Sequence, residues 1–306
     1  MKKIVYFVIG AILLSIIIVS CSPTEPAVVD TGVTSGPTPA ATGLPEYVAP
    51  EGGLLAEIQA RGVLRNGVEC QNPPGEFFDP AANECTGFSI ELAQMIADRI
   101  GVDLEIIETD WSGVIPALYA KNFDMILSSM TITEPRKQAV SFSSPVGCDQ
   151  VTWIVQKGNT DISSPEDLDG KIVATQLGSA AEFQAQELQD EYGIEYQELK
   201  SFDFFDGAYL ELKNGQADIA TSTAWNNIPL FNAEPDTYDV AFSLPIFNYV
   251  GTAIRMQDQD LLNFVNEFLA EIEASGELAN LQHKYYGYGM DCGVEGPNTP
   301  SGWQAP

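Results

Sequence analysis

A chain of 306 residues with 14 Lys and Arg against 43 Asp and Glu carries a formal charge of −29. Such a polyanion is repelled by nucleic acid and by anionic lipid surfaces, which argues against both as partners. The acidity is compatible with a cationic ligand without showing one, and its main consequence is a strongly hydrated surface.

The first element reads as an export signal. Lys2 and Lys3 precede an apolar run from Ile4 to Val19, 16 residues broken only by Gly10, Ser15 and the ring of Tyr6. That is short of the ~20 residues a helix needs to span hydrocarbon. A basic start before a short apolar core predicts a secretory signal peptide over residues 1–20. The run ends Ile18-Val19-Ser20-Cys21, which resembles the bacterial lipobox, with cleavage before Cys21 and a lipid on its thiol. An uncleaved anchor followed by a free Cys21 is the plainer alternative, and either places the remainder outside the cytoplasm. Without Lys2 and Lys3 the mature charge is 12 − 43 = −31.

Residues 21–51 are rich in Pro, Thr, Ala, Gly and Ser and have no apolar period. Such a segment cannot bury enough apolar surface to offset its ordering entropy, so a flexible tether is expected. The remaining ~250 residues suffice for one large domain or two lobes, each with its own core. Of five cysteines, lipidation of Cys21 leaves Cys70, Cys85, Cys148 and Cys292, an even number in an oxidising compartment. Three pairings are possible. Cys70 with Cys85 closes a short Pro-rich loop, and Cys148 then pairs with Cys292; four buried free thiols are the alternative.

Along the chain, strands are predicted at Gly62–Val68, Leu104–Glu108, Thr152–Gln156, Lys171–Thr175 and Thr252–Arg255. Helices are predicted at Ser89–Ile100, with Ser89 as cap, at Ser179–Tyr192, and at Gln259–Ser275, where Leu261, Leu262, Val265, Phe268, Leu269 and Ile272 recur at helical spacing. Two stretches echo one another. Trp111 to Asp124 runs as a helical pattern into Met125-Ile-Leu-Ser-Ser-Met-Thr131, and Gly207 to Asp218 runs likewise into Ile219-Ala-Thr-Ser-Thr223. In both, a helix ends near Lys-Asn, an Asp follows, and a short strand ends in hydroxyl residues. Alternating strands and helices imply an α/β fold with parallel sheets, whose ligands lie at the carboxyl ends of strands. Ser128–Thr131 and Thr221–Thr223 are therefore candidate site edges that face one cleft if each echo belongs to its own lobe.

Order and spacing over Gly62 to Gly287 resemble a known family. The matching stretches are Gly62-Val-Leu-Arg-Asn-Gly-Val68, Gly87-Phe-Ser-Ile-Glu-Leu-Ala93, Asp110-Trp-Ser-Gly-Val-Ile-Pro-Ala-Leu118, Phe123-Asp-Met-Ile126, Met130-Thr-Ile-Thr-Glu-Pro-Arg136, Phe142-Ser-Ser-Pro145, Glu166-Asp-Leu-Asp-Gly-Lys171, Gln176-Leu-Gly-Ser179, Asn214-Gly-Gln-Ala-Asp218 and Lys284-Tyr-Tyr-Gly287. The family is the extracellular solute-binding proteins, family 3, which bind amino acids for ABC transporters. The resemblance implies a periplasmic-binding-protein fold in which two α/β lobes are joined by a two-crossing hinge with the ligand cleft between them. Lobe 1 is expected at 52–150 plus 253–295, lobe 2 at 151–252, and a tail at 296–306. It also implies a monomeric, membrane-anchored extracytoplasmic protein that delivers a polar amino acid or related small carboxylate to a permease by hinge closure.

An amino-acid zwitterion needs an anion site, a cation site and a side-chain pocket. The family's Thr-x-x-Arg motif, matched by Thr133-Glu-Pro-Arg136, makes Arg136 the expected carboxylate ligand, since a guanidinium binds both oxygens at once. Spacing alone leaves a surface ion pair with Glu134 open. Gly178-Ser179-Ala180 begins a helix whose unpaired N–H groups favour a carboxylate, which the resemblance implies is the same one, with Ser179 able to cap the helix. Ser128, Ser129 and Thr131 offer hydroxyls or carbonyls at a strand end, Trp111 stands where the family places a flat apolar wall, and Gln176 can bond either end of a ligand. Two positions depart from the family. Thr223 stands where an aspartate commonly pairs with the ligand ammonium, leaving Glu69 as the best-placed carboxylate by alignment. Asn72 stands where a stacking aromatic is common, with Phe77 or Phe78 as substitutes.

No cofactor or metal is expected, because no HExxH, CxxC pair, GxSxG or phosphate loop is present. The chain is read as a binding protein and not an enzyme. The enzyme alternative resembles the cyclohexadienyl dehydratases of this fold, which need a carboxylic acid in the cleft that Thr223 does not supply. His283, the single histidine, sits in an amphipathic stretch with Leu281 and Tyr285 and is read as structural. The third alternative, a ligand-sensing receptor, would act through a separate partner chain.

Overall fold

The parallel strands of the two main sheets end near one cleft, and the order of elements explains why. The computed structural model describes residues 52–244, 248–287 and 289. The expected signal peptide, Cys21, the tether, Cys292 and the C-terminal tail lie outside the described residues. All described residues fall in one compact unit, Gly43–Pro306.

Helix α1 (Leu54–Arg61) leads into β1 (Val63–Val68), and three short strands follow, β2 (Gln71–Asn72), β3 (Glu76–Asp79) and β4 (Glu84–Thr86). Next come α2 (Phe88–Ile100), β5 (Asp103–Glu108), α3 (Val114–Tyr119), β6 (Met125–Ile126), α4 (Glu134–Lys137) and β7 (Ser141–Phe142). After β8 (Gly147–Asp149) the chain forms β9 (Val151–Gln156), β10 (Ile172–Gln176), α5 (Ala180–Tyr192), β11 (Glu198–Phe202), α6 (Phe205–Lys213), β12 (Ile219–Thr223), α7 (Ala224–Ala233) and β13 (Tyr238–Ser243). It returns through β14 (Asn248–Val250) to β15 (Ala253–Ile254), α8 (Gln259–Ser275) and α9 (Glu277–Tyr286).

Two five-stranded sheets result, ordered β5-β1-β6-β15-β7 and β11-β10-β12-β9-β13. The sequence echo occupies the same place in each, for β6 and β12 are the middle strands. The repeated aspartate has one job in both lobes. Asp124 accepts the N–H of Arg65 on β1 at 2.9 Å, and Asp218 accepts that of Ile172 on β10 at 2.8 Å, each satisfying the neighbouring strand where the ladder opens.

Between the sheets, β8 and β14 lie side by side as an antiparallel ribbon, with Asp149 opposite Asn248. Helix α7 ties this region to the first lobe. Its Trp225 is buried in that lobe's core and meets the Tyr286 ring at 4.5 Å. The cores follow the expected periods. On α2, Phe88, Leu92, Ala93, Ile96, Ala97 and Ile100 face the first sheet. On β9, Val151, Trp153 and Val155 face one layer of the second lobe and Ile154 the other, so that sheet is covered on both faces.

Two local expectations change. The helix expected to start at Ser89 starts at Phe88, after Gly87. The carbonyls of Pro74 and Gly75 accept the N–H groups of Phe88 and Ser89, doing what a serine cap would do. A Cβ at Gly87 would stand 2.4 Å from the Gly75 oxygen, so glycine is required there. The strand expected over Met125–Thr131 ends at Ile126 because the Asn66 side chain takes over, accepting from Leu127 N at 2.8 Å and donating to its carbonyl at 3.0 Å. Among the described residues, no helix is long and apolar enough to cross a membrane.

Cys70 and Cys85 are bonded across a separation of 15 residues and bracket β2, β3 and most of β4. Cys148 is also held in a disulfide, and Cys292, the partner expected for it, lies outside the described residues. A closed loop of that size restricts the unfolded chain by about 3 kcal/mol. The double variant Cys70→Ala/Cys85→Ala is expected to lose about 2–4 kcal/mol, read as a thermal midpoint lowered by several degrees; an unchanged midpoint contradicts this role.

Candidate ligand-binding site

The carboxyl ends of both sheets meet in a cleft of about 390 Å³, counting its mouth open to solvent. Its lining comprises Glu69, Asn72, Trp111, Ser129, Thr131, Arg136, Asp149, Gln176, Ser179, Ala180, Phe205, Thr223, Trp225 and Asn226. Ten of the sequence candidates are thus brought together. Ser128 lies behind the wall, fully buried, and Phe77 sits half-buried on the hairpin away from the lining.

Arg136 is placed by its own short helix. Thr133 caps α4 by accepting the Arg136 N–H, Pro135 stiffens its first turn, and the arginine side chain points inward, 5% exposed. Its Nη1 donates to the Thr131 carbonyl at 2.8 Å and its Nη2 to the Gly178 carbonyl of the second lobe at 2.9 Å. The guanidinium lies 5.2 Å from the Trp111 ring centre and 5.6 Å from that of Phe183. A surface ion pair with Glu134 is not formed, since Glu134 bonds Lys137 instead. Among the described residues no carboxylate pairs with Arg136. Burial pushes its pKa down to about 10, which leaves it cationic at neutral pH. Two of a guanidinium's five N–H donors are engaged, so three remain.

Across the cleft, Ser179 caps α5 by accepting the Glu182 N–H at 3.1 Å. The Glu182 carboxylate accepts the Gly178 N–H at 2.6 Å and the Ser201 hydroxyl. These bonds leave Ala180 and Ala181, at the first two helical positions, without intrahelical acceptors. Gly178 adopts φ 70°, which turns its carbonyl toward the first lobe, where Trp111 Nε1 also donates to it at 3.1 Å.

Two carboxyl groups line the same cavity. Glu69, at the end of β1, is 7% exposed and accepts both contacts of Gln176 Nε2 at 2.9 Å. Burial raises its pKa to about 7 against the opposing bonds from Gln176 and the Trp111 backbone N–H. Asp149, at the end of β8, is 5% exposed and accepts from the Thr223 hydroxyl and from the backbone N–H groups of Gln150 and Trp225. Burial raises it to about 7 as well. Sequence reasoning missed Asp149. The only signal for it is sheet register: Thr223 pairs with Val151, which puts Asp149 two residues along on the same face.

Behind the wall a third carboxyl organises the first lobe's edge. Glu76 is fully buried and accepts from Asn72 Nδ2 at 2.9 Å, Ser129 Oγ at 2.9 Å and Ser128 Oγ at 3.2 Å. Burial pushes it up to about 8. Ser129 holds the left-handed φ of 47°, uncommon outside glycine, to reach this bond. Asn72 Oδ1 is buried with no partner among the described residues. No cluster of His, Cys, Asp or Glu among those residues could hold a metal ion.

These carboxyls bind protons more tightly in the folded chain than in the unfolded one. Their burial therefore costs nothing below the ordinary carboxylate range and an increasing amount as pH rises toward 7 to 8. The thermal midpoint of ligand-free protein is expected to fall by several degrees from pH 5 to 8.5, and Glu76→Gln to flatten the slope. A midpoint rising over that range contradicts the assignment.

Residues 64–288 match the family model of bacterial extracellular solute-binding proteins, family 3. The chain is 30% identical over 236 residues to the L-cystine-binding protein TcyJ of Escherichia coli (strain K12), covering 77% of this chain and 86% of that protein. It is 34% identical over 211 residues to the arginine-binding extracellular protein ArtP of Bacillus subtilis (strain 168), covering 65% and 77%. Among solved structures, a mutant of ArgBP from T. maritima superposes with a TM-score of 0.69 at 35% identity, covering 76% of this chain and 99% of that one.

Proposed function

The chain belongs to the bacterial extracellular solute-binding proteins, family 3, and on that premise we propose that Arg136 and the start of α5 grip the carboxylate of an amino acid together, closing the cleft around it. The protein is an extracytoplasmic amino-acid-binding component of an ABC transporter, and not an enzyme. Its lobes, in this reading, are 52–150 plus 253–295 and 151–252, with the paired β8 and β14 as the crossings.

One observation carries the proposal. Arg136 is a buried cation with no counter-charge among the described residues, three N–H donors to give, and a helix start facing it across the cleft. A desolvated guanidinium of this kind calls for an anion. A carboxylate between Arg136 and the N–H groups of Ala180 and Ala181 would be bonded from both lobes, so its binding favours the closed arrangement by differential affinity. The contacts of Gly178 with Arg136 and Trp111, and of Gln176 with Glu69, then hold the closed lobes together. Ser129 and Thr131 line the ligand from the first lobe, and Trp111 forms the flat wall.

Calorimetry on Arg136→Ala is expected to show at least a hundredfold loss of affinity for any free amino acid, in the range for truncating one partner of a buried charge pair. Arg136→Lys recovers only part of it, because an ammonium lacks the planar fork. Near-native affinity in Arg136→Ala removes this residue from the site.

The acyl anchor is a further part of the proposal, supported by Ile18-Val19-Ser20-Cys21. The full chain is expected to partition with membranes and Cys21→Ala into the soluble fraction; equal partitioning of the two contradicts an acyl anchor at Cys21. Delivery is to a membrane permease, with the protein acting as a monomer on the outer side of the cell membrane.

A further inference from the structure

The charges lining the cleft do not balance for a simple zwitterion, and we infer that the ligand is a basic amino acid, with a second cationic group on its side chain. The inference rests on the reading of Arg136 as the carboxylate site. Once Arg136 is matched to the ligand carboxylate, Glu69 and Asp149 remain. Both line the cavity and are more than nine-tenths buried. Neither has an ion-pair partner among the described residues. Their hydrogen-bond donors are all neutral: the Gln176 amide, the Thr223 hydroxyl and backbone N–H groups.

The α-ammonium of an amino acid satisfies one of the two. A neutral side chain would leave the other either ionised and unpaired, at a cost of several kcal/mol, or protonated. A cationic side chain resolves this without a proton. Asn72 points the same way. Glu76 fixes its amide by accepting from Nδ2, so Asn72 brings to the wall an acceptor oxygen, buried and without a partner among the described residues. Three acceptor groups thus stand beyond the carboxylate grip, matching the several N–H donors of a guanidinium or ammonium. Phe205 and Trp225, also on the wall, offer apolar surface to the methylene stem of such a side chain.

L-Arginine and L-citrulline decide the matter, because citrulline keeps arginine's shape and removes its side-chain charge. Calorimetry on the whole mature protein would compare these two with L-lysine, L-glutamine and L-cystine. Arginine or lysine is expected to bind at least about a hundredfold more tightly than citrulline and glutamine. Citrulline or glutamine within tenfold of the better basic ligand, or cystine tighter than both basic ligands, overturns the inference while leaving the carboxylate grip intact. Binding of none of the five overturns both. The isosteric variants Glu69→Gln and Asp149→Asn add a second readout that does not depend on folding, since each keeps its shape and neutral donors. One is expected to weaken arginine and citrulline alike, as the partner of the α-ammonium. The other is expected to abolish the preference for arginine over citrulline. A preference unchanged in both variants overturns the inference.

Discussion

A guanidinium taken out of water without a carboxylate beside it is the constraint around which the cleft is built. Among the described residues no carboxylate neutralises Arg136. Its two protein acceptors are carbonyl oxygens, one from each lobe, and carbonyls satisfy N–H geometry without cancelling charge. The elements around it serve this placement. Thr133 and Pro135 aim the side chain inward, the Trp111 ring covers it, and the left-handed Gly178 offers its carbonyl from across the cleft. On the proposed reading, a residue held in this way is matched to the ligand carboxylate.

The same logic applies with opposite sign to the carboxyls. Glu69, Asp149 and Glu76 sit where burial lifts their proton affinity to around neutrality or above. A fold selected for stability alone would replace such groups with apolar side chains of similar volume. Keeping them means the ligand-free protein is less stable than it could be, and a ligand of complementary charge restores the difference by mass action. Asp149 also gives the cleft the protonatable group that Thr223 lacks, but it is held by neutral donors, the Thr223 hydroxyl and the N–H groups of Gln150 and Trp225, in a family of binding proteins.

Much of this was legible in the sequence, wherever the signal was local. Helix α8 starts and ends where its apolar spacing predicts, and α5 starts after its serine cap. The paired echoes mark two equivalent strands, and the sheet order then places each in the middle of its sheet. Ser179 could be found from local capping chemistry, whereas Arg136 is singled out by the resemblance of Thr133-Glu-Pro-Arg136 to the family motif, since spacing alone leaves a surface ion pair open. Helix α7 escaped notice because Ala224-Trp-Asn-Asn-Ile-Pro-Leu-Phe-Asn-Ala233 has no clean apolar stripe and carries Pro229 inside it. Asp149 escaped for a different reason. Its nearness to Thr223 depends on the register between β9 and β12, strands nearly seventy residues apart, and no local pattern encodes that. Glu76 was one acidic residue among 43, and only tertiary packing distinguishes a buried one from the solvated rest.

The central claim is that one carboxylate is held from both lobes at once, and a crystal structure of the protein with a bound amino acid tests it most directly. The account predicts the ligand carboxylate within about 3 Å of both the Arg136 guanidinium and a backbone N–H of Ala180 or Ala181. A carboxylate that reaches only one of the two, or a ligand seated with its carboxylate toward Glu69 and Asp149, would contradict it.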